Sequence, residues 1–289
     1  MDKGLANSRE KFLSCQSCVS YPFISRQFNK PVVLCCLVLT PLSLLLGTAL
    51  AAEPGMVFIP GGEFLRGRSH ALPDDHLKWF PTLLKDDRPV RKIFVDAFYL
   101  DEHEVTNEQY AAFVKATKHP APYNWPKGRL PADKEKLPVV DVSWLDASVY
   151  CGWAGKRLPT EAEWERAARG LAEGQRYPWG EEDPTKKQAC FDTMKGPCEV
   201  GQFPPNYFGL YDMAGNVWEW TGDYYDRDWY SKSPGRNPAG PAQGQYRVIR
   251  GGSWSDVAKY LTNSYRSWAR PLERSPNIGI RCAKSFGKK

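Results

Sequence analysis

Two carboxylates in the second half of the chain have a spacing that suits a hard metal ion. Asp212 and Glu219 stand seven residues apart, with the turn-forming pair Gly215 and Asn216 between them. Calcium in proteins takes about six to eight oxygen ligands and mixes carboxylates with backbone carbonyls in a turning loop. The segment therefore predicts a structural calcium site. The alternative is that Glu219 pairs with an arginine and that the loop is only a turn.

A second group of reactive side chains surrounds the segment 250–256, which reads Arg-Gly-Gly-Ser-Trp-Ser-Asp. Aromatic rings mixed with arginines make a site that can stack rings and pair with a carboxylate or a phosphate. The alternative is that the tryptophans belong to the core and that the arginines are buried ion-pair partners. The residues of this candidate pocket are Trp218, Ser253, Trp254, Asp256, Tyr265, Arg266, Trp268 and Arg270.

Nitrogen and oxygen side chains also cluster in an earlier polar stretch. Such groups can bind iron, zinc or copper(II), but a pair of histidines in a polar loop is typical of solvated surface. The residues concerned are His70, Asp74, Asp75, His76 and His103. The sequence carries no Gly-x-Ser-x-Gly elbow, no phosphate-binding glycine loop and no His-Glu-x-x-His helix, so the common hydrolase and nucleotide chemistries are not indicated.

The first 52 residues differ in kind from the rest of the chain. Five basic residues precede an apolar run at 31–50, which ends in Ala-Leu-Ala-Ala. This order is typical of a secretory signal peptide, and Pro41 together with the small-residue exit favours cleavage over a retained membrane anchor. We expect a signal peptide at 1–52, a domain at 53–289 and a periplasmic or secreted location. No stable membrane insertion is expected after the leader is cleaved.

The charge balance of the exported part excludes some partners. Five of the 39 Lys and Arg and two of the 33 Asp and Glu lie in residues 1–51, so the net charge falls from +6 to +3 without the leader. A value so close to neutral does not favour binding to nucleic acid or to an anionic membrane surface.

The cysteines divide in the same way. Four of the eight cysteines lie in the leader, and the exported part keeps Cys151, Cys190, Cys198 and Cys282. An even number in an exported protein suggests two disulfides, for which three connectivities are possible. Free thiols or a metal site remain alternatives.

The elements that must position these residues are few. Short β-type runs occur at 56–64, 90–100 and 246–249. Capping boxes predict one helix that begins at Thr106, with Gln109 as its partner, and another over 160–169 that begins with Thr160 and Glu163. A third helix is predicted over 144–153. Few helices, many turns and a high aromatic content indicate one α+β domain with much irregular backbone.

Four ordered motifs carry a family resemblance. They are Gly-Lys-Arg-Leu-Pro-Thr-Glu-Ala-Glu-Trp-Glu at 155–165, Gly-Asn-Val-Trp-Glu-Trp-Thr at 215–221, the segment 250–256 and Asn-Ile-Gly-Ile-Arg-Cys at 277–282. From about Met56 to Ala283 the chain resembles the formylglycine-generating enzyme, or sulfatase-modifying factor, family. The resemblance implies a variant of the C-type lectin-like fold.

The resemblance also implies roles for single residues. It pairs Cys151 with Cys282, which leaves Cys190 and Cys198 to close a short loop where relatives hold a second calcium. It assigns the calcium ligands to the side chains of Asp212 and Glu219 and to the carbonyls of Gly215 and Val217. The two copper-binding cysteines of the generating enzymes correspond to Asp256 and Leu261, neither of which offers the soft sulfur that copper(I) requires.

Oxidation of cysteine to formylglycine through bound copper is therefore not expected, and no catalytic residue is identified. One hypothesis is an exported maturation factor or oxidoreductase that acts on a peptide-like substrate, as in relatives that mature pyoverdine or accompany nitrite reductases. The alternative is a ligand- or protein-binding module on a C-type lectin-like scaffold. A third is a catalytically inactive paralogue that modulates a generating enzyme.

Overall fold

The described part of the chain contains nine short strands and four α-helices, joined by irregular backbone. The computed structural model describes residues 53–71, 86–171 and 173–287. The strands are β1 (Met56–Ile59), β2 (Gly62–Arg66), β3 (Arg91–Val95), β4 (Phe98–Asp101), β5 (Trp218–Tyr224), β6 (Arg247–Arg250), β7 (Ser267–Ala269), β8 (Ile278–Gly279) and β9 (Ala283–Ser285). The helices are α1 (Asn107–Thr117), α2 (Trp144–Trp153), α3 (Glu161–Arg169) and α4 (Trp229–Lys232).

The strands form three small sheets. The first has the order β1-β4-β9, with all pairs antiparallel, and the second is the antiparallel pair β2 and β3. The third has the order β7-β6-β5-β8, in which only β5 and β8 run parallel. Between α3 and β5, the residues that the structure describes contain no strand. This is the α+β arrangement with much irregular backbone that the sequence predicts.

Three helices begin where local signals place them. Thr106, Ser143 and Thr160 are the N-caps of α1, α2 and α3, and each forms a reciprocal capping box with the residue three positions later. Each box satisfies two backbone donors that would otherwise be unpaired at a helix start. The run predicted as one strand at 90–100 is instead two strands, because Asp96 and Ala97 interrupt it between β3 and β4.

Helix α3 is buried along its whole length although five of its nine residues are charged. The carboxylates of Glu161 and Glu165 are fully buried. Glu161 accepts hydrogen bonds from Arg66 at 2.8 Å and from Arg266 at 2.6 Å, and Glu165 accepts from Arg250 at 3.0 Å. Burial alone would raise the pKa of Glu161, but Arg266, Arg66 and Arg250 lower it to about 2. Opposite charges within hydrogen-bond distance thus replace water around this helix.

Hydrophobic packing surrounds this charged centre on two sides. One cluster joins α1 and α2 to β5 through Tyr110, Phe113, Tyr150 and Trp220. The other packs Trp164 of α3 against the strands of the first two sheets. The third sheet therefore has α2 and α3 beside it, and its strand β5 leads directly out of the calcium loop predicted from the sequence.

A membrane-spanning helix can be sought only in the residues that the structure describes. Within them, no helix has both the length and the apolar character needed to span a bilayer. The predicted leader at 1–52 lies outside the described residues.

Candidate functional site

A glycine turn after β6 brings the candidate pocket together. Gly251 and Gly252 have φ values of +102° and +77°, and a Cβ on Gly252 would lie 3.0 Å from the carbonyl oxygen of Tyr260. Only glycine adopts such backbone at no cost. The turn places Ser253 in the interior and returns the chain so that Asp256 faces β5.

The carboxylate of Asp256 is held by two donors. Its Oδ2 accepts from the indole nitrogen of Trp218 at 2.9 Å and from the hydroxyl of Ser253 at 2.5 Å. Asn277 donates to the same hydroxyl at 3.5 Å. Asp256 is half-buried, so the group offers a fixed, partly accessible carboxylate rather than a sulfur ligand.

Aromatic rings stand next to this carboxylate. Tyr265 lies 6.1 Å from Trp218 and 4.9 Å from Tyr260 between ring centroids. Leu261 is buried in an apolar cluster with Tyr177, Ala189, Phe191 and Ala214 and provides no ligand atom. The structure thus brings Trp218, Ser253, Asp256 and Tyr265 together, as proposed from the sequence.

The arginines assigned to this pocket make their contacts elsewhere. Arg266 is fully buried and its guanidinium pairs with Glu161 and contacts the backbone of Asp86, so it is one of the buried ion-pair partners considered as the alternative. Arg270 is exposed and lines a different, open depression beside Leu145 and Leu272. Trp268 stacks on Tyr225 with ring centroids 4.4 Å apart.

The main concave feature next to the turn is a groove of about 300 Å³. We call it the tryptophan groove, and its walls include Trp125, Pro131, Pro138, Pro197, Trp254 and Pro276. Trp125 is buried and donates its indole N–H to Asn107 at 3.3 Å, whereas Trp254 is half-buried and donates to the carbonyl of Pro276 at 3.2 Å. The polar side chains of Lys134 and Asp141 also reach this groove.

Sequence reasoning identified Trp254 but missed the groove. Three segments far apart in the chain form it: 107–141, 196–197 and 254–276. Their shared signal is a high density of tryptophan and proline, which in 107–141 falls after the predicted helix that begins at Thr106. That composition is equally typical of ordinary loops.

Both disulfides predicted from the sequence are present. Cys151 of α2 pairs with Cys282, with their Cα atoms 5.7 Å apart, and Cys190 pairs with Cys198 at 6.1 Å. The short loop 190–198 lies against the glycine turn, since the backbone N–H groups of Asp192 and Thr193 donate to the carbonyls of Asp256 and Trp254 at 2.8 and 2.9 Å.

The predicted calcium loop lies in a buried acidic cluster. Asp212, Glu219 and Glu104 are all buried; Arg281 forms an ion pair with Glu219 at 2.8 Å, and its charge also lowers the pKa of Glu104 and Asp212. Burial raises the pKa of all three carboxyl groups, and a bound divalent cation would instead favour their ionised forms. Burial raises the pKa of Glu104 well above its usual value, and the neighbouring Asp212 adds to the effect.

The donors around Glu219 limit how it could bind an ion. Its Oε1 accepts from Arg281 at 2.8 Å and its Oε2 accepts from the indole of Trp164 at 2.6 Å. This is the arginine pairing considered as the alternative, so Glu219 would have to share its oxygens with a metal. Asp212 and the carbonyls of Gly215 and Val217 fit a hard cation in type, and calcium at this loop stays a prediction.

The histidines do not form a metal site in the described ranges. Burial, together with the charges of Arg176 and Arg68, lowers the pKa of His70 to about 4. His103 donates from Nδ1 to the carbonyl of Glu104 at 2.8 Å. Asp74, Asp75 and His76 lie outside the described residues. Within 53–71, 86–171 and 173–287, no three His, Cys, Asp or Glu side chains are grouped so that they could hold a metal ion.

Comparison with known proteins places this geometry in a family. The profile of the sulfatase-modifying factor enzyme 1-like domain matches residues 45–286. The inactive Cα-formylglycine-generating enzyme 2 of Mus musculus is 36% identical over 82% of this chain and 88% of its own length. The solved structure of PvdO from Pseudomonas aeruginosa is 28% identical, with a TM-score of 0.66 over 82% of this chain and all of that chain.

A longer relative shares the same domain. The serine/threonine-protein kinase pkn1 of Chlamydia caviae is 41% identical over 79% of this chain, but the match covers only 38% of the kinase. This chain thus spans little more than a third of that protein's length. The profile match covers most of the chain, including all four motifs, the glycine turn and the calcium loop. The chain belongs to the sulfatase-modifying factor, or formylglycine-generating enzyme, family.

Proposed function

We propose that this protein is an exported binding member of the family, which holds an extended segment of a partner polypeptide in the tryptophan groove. It does not oxidise cysteine through bound copper. The observation that carries the proposal is the position of the groove, which shares Trp254 with the turn that holds Asp256, at a position where the resemblance assigns a copper-binding cysteine.

Ligand chemistry argues against copper at the turn. Copper(I) prefers thiolate and thioether ligands. Asp256 presents oxygen, Leu261 presents an alkyl group, and all four cysteines of residues 53–289 are in disulfides. The relative from Mus musculus whose name calls it inactive supports a member of this family that lacks the namesake reaction.

The shape and lining of the groove favour a polypeptide as the ligand. Two indoles and four prolines offer apolar contact, while Lys134 and Asp141 offer one charge of each sign at its border. Grooves lined by aromatic side chains recognise extended, proline-containing segments, because such segments lose little conformational entropy on binding. The family's description as a sulfatase-modifying factor also supports a protein ligand.

The proposed export of the protein is supported by the two disulfides of the domain. Disulfides form and persist in oxidising compartments, such as the bacterial periplasm or the extracellular medium. The two disulfides of the domain support the proposed periplasmic or secreted location.

A maturation step on the bound polypeptide is the second candidate function. It is favoured by the fixed carboxylate of Asp256, which lies two residues from Trp254 in the groove wall. In that case a thiol-containing peptide or another bound segment would change in mass when incubated with the protein. In the binding role it would be recovered unchanged.

The test is selection of peptide ligands from a random displayed library with the purified full chain. We expect the substitution Trp254→Ala to lower the affinity for the selected peptides at least about tenfold, because truncating an aromatic anchor costs on the order of 1–2 kcal/mol. Trp153→Ala, a matched change at a tryptophan that does not line the groove, should alter affinity less than about twofold.

Metal analysis completes the test. The purified protein should not retain copper(I) when a competing chelator is present, and a thiol-containing peptide should keep its mass in the presence of copper and oxygen. Stoichiometric copper together with peptide oxidation would contradict the proposal. So would a selection that yields no peptide ligand, or ligands indifferent to Trp254→Ala.

A further inference from the structure

We infer that the Cys190–Cys198 disulfide holds one wall of the tryptophan groove in place and that a dithiol reductant opens this disulfide. We call the disulfide the clasp. The loop that it closes supplies Gly196 and Pro197 to the groove wall. The effect on ligand affinity rests on the proposed function, whereas the effect on the loop itself does not.

The two disulfides differ in their access to a reductant. Cys151 and Cys282 are both 0% exposed, and they join α2 to the end of the fold. Cys198 is half-buried and follows a loop in which Met194 is 91% exposed. Thiol–disulfide exchange requires a thiolate to reach one sulfur atom. Cys198 is the one cysteine of the two disulfides that is not buried, so we expect the short-loop disulfide to be reduced first.

Asn216 holds both ends of the loop. Its backbone N–H donates to the carbonyl of Cys190 at 2.7 Å, and its side-chain oxygen accepts from the N–H of Cys198 at 3.0 Å. A Cβ on Gly215 would lie 2.4 Å from the carbonyl oxygen of Cys190, so only glycine allows this approach. The disulfide keeps the two ends close enough together for one asparagine to bind them both.

The loop also connects the turn to the opposite side of the groove. Asp192 and Thr193 donate to the carbonyls of Asp256 and Trp254, as described above. Just beyond the loop, Val200 donates to the carbonyl of Lys136 at 3.1 Å, in the segment that forms the facing wall. Loss of the disulfide would therefore loosen the glycine turn and the groove together.

The redox step balances with a dithiol as the reductant. A thiolate of the dithiol attacks the sulfur of Cys198, which breaks the disulfide, forms a mixed disulfide and releases Cys190 as a thiolate that takes up a proton. The second thiol of the dithiol then displaces Cys198, which leaves as a thiolate and is protonated. Two electrons pass to the protein, and the dithiol becomes a disulfide.

The clasp is tested on the folded full chain with dithiothreitol, followed by alkylation and peptide mapping. Cys190 and Cys198 should be labelled at least about tenfold faster than Cys151 and Cys282, because attack needs an exposed sulfur. Hydrogen exchange at the amides of Asp192 and Thr193 should then accelerate by about tenfold or more, since both hydrogen bonds depend on the closed loop.

The double substitution Cys190→Ser with Cys198→Ser reproduces the open loop without any reductant. Its exchange rates should match those of the reduced protein and should not respond to dithiothreitol. Its affinity for the library-selected peptides should fall at least about fivefold, because a loosened wall must be ordered again on binding. If the reduced protein and the double variant lose the same affinity and show the same exchange rates, the change is due to this disulfide and not to Cys151–Cys282.

The outcomes separate the clasp from the proposed function. Equal labelling of all four cysteines, or unchanged exchange at Asp192 and Thr193, overturns the clasp even if peptides bind. Faster exchange in a protein that selects no peptide supports the clasp and overturns the proposed function. Peptide affinity that is unchanged by reduction, despite faster exchange, overturns control of the groove.

Discussion

Asp256 accepts hydrogen bonds from two buried donors, which would lack an acceptor if its carboxylate were removed. Trp218 and Ser253 are both buried, and each donates to the same carboxylate oxygen. A carboxylate thus serves as the structural centre of the turn, at the position where the resemblance assigns a redox thiol. Substitutions here should act on stability before they act on any reaction.

We predict that Asp256→Ala lowers the free energy of unfolding by about 1–3 kcal/mol, because buried donors without acceptors carry a desolvation cost. Asp256→Asn retains a side-chain acceptor and should cost less than half as much. Urea unfolding of the two variants measures the difference. Equal losses for alanine and asparagine would show that the two donors find other acceptors, and Glu199→Ala, which removes an exposed carboxylate, is the control.

Calcium is the second prediction at the residue scale. The oxygen ligands that the loop offers, the carboxylates of Asp212 and Glu219 with the carbonyls of Gly215 and Val217, lead us to expect that calcium raises the melting temperature and that a chelator lowers it. An ion that binds only the folded state stabilises by about 2.7 kcal/mol at a hundredfold excess over its Kd. Thermal unfolding measures this effect, with magnesium as the control. An unchanged melting temperature would mean that Arg281 alone neutralises the cluster.

At the scale of elements, α3 shows what local signals predict and what they do not. The capping box of Thr160 and Glu163 predicted where it begins, and its length was correct to within one residue. Its burial was not predicted, because a segment rich in glutamate and arginine is typical of a solvated helix face. The partners that bury Glu161 lie 95 and 105 residues away in sequence.

Strand β5 and α3 also share a titrating carboxyl group. Asp223 is buried, and its Oδ2 accepts from the backbone N–H of Glu161 at 2.8 Å. Burial and the charge of Glu161, opposed by Arg66, together raise the pKa of Asp223 to about 7. The protonated form is therefore favoured by folding.

The sign of the resulting pH dependence follows directly. A carboxyl group whose pKa is raised by folding stabilises the protein below its ordinary pKa, and this contribution is lost as the pH rises through about 7. The Asn side chain of Asp223→Asn stays neutral at all pH values. We therefore predict that the free energy of unfolding of this variant, relative to that of the wild type, increases by roughly 2–4 kcal/mol from acidic to mildly alkaline pH. Urea unfolding across that range measures the gain. A difference independent of pH would contradict it.

For the whole molecule, Cys151–Cys282 is the main covalent constraint. The two cysteines are 131 residues apart, against 8 for Cys190 and Cys198. Loop-closure entropy predicts a loss of about 5 kcal/mol when the first pair is replaced by alanine, and roughly 2.5 kcal/mol for the second. Denaturant unfolding of the two double variants compares them. Equal losses would show that native-state contacts, and not chain entropy, dominate.

Sequence motifs were sufficient for the family, the three main helices and both cysteine pairs. The family resemblance grouped Trp218, Ser253, Asp256 and Tyr265 in one pocket, and these four side chains lie close together. The motifs were insufficient for Arg266, whose partner Glu161 lies in α3, and for the tryptophan groove, whose walls come from three distant segments. Long-range pairing depends on the folded topology, which no local pattern contains.

The first sheet has a consequence for how the domain can be joined to other proteins. Its first and last strands, β1 and β9, both pair with β4, and Lys284 forms an ion pair with Glu53 at 2.7 Å. Strands on either side of a shared neighbour are roughly 10 Å apart. Because both strands are antiparallel to β4, they run parallel to each other, and the chain enters β1 beside Asp101 and leaves β9 beside Phe98, three residues away along β4. A linker of a few residues spans this offset, so the domain can be inserted into a surface loop of a host protein or circularly permuted.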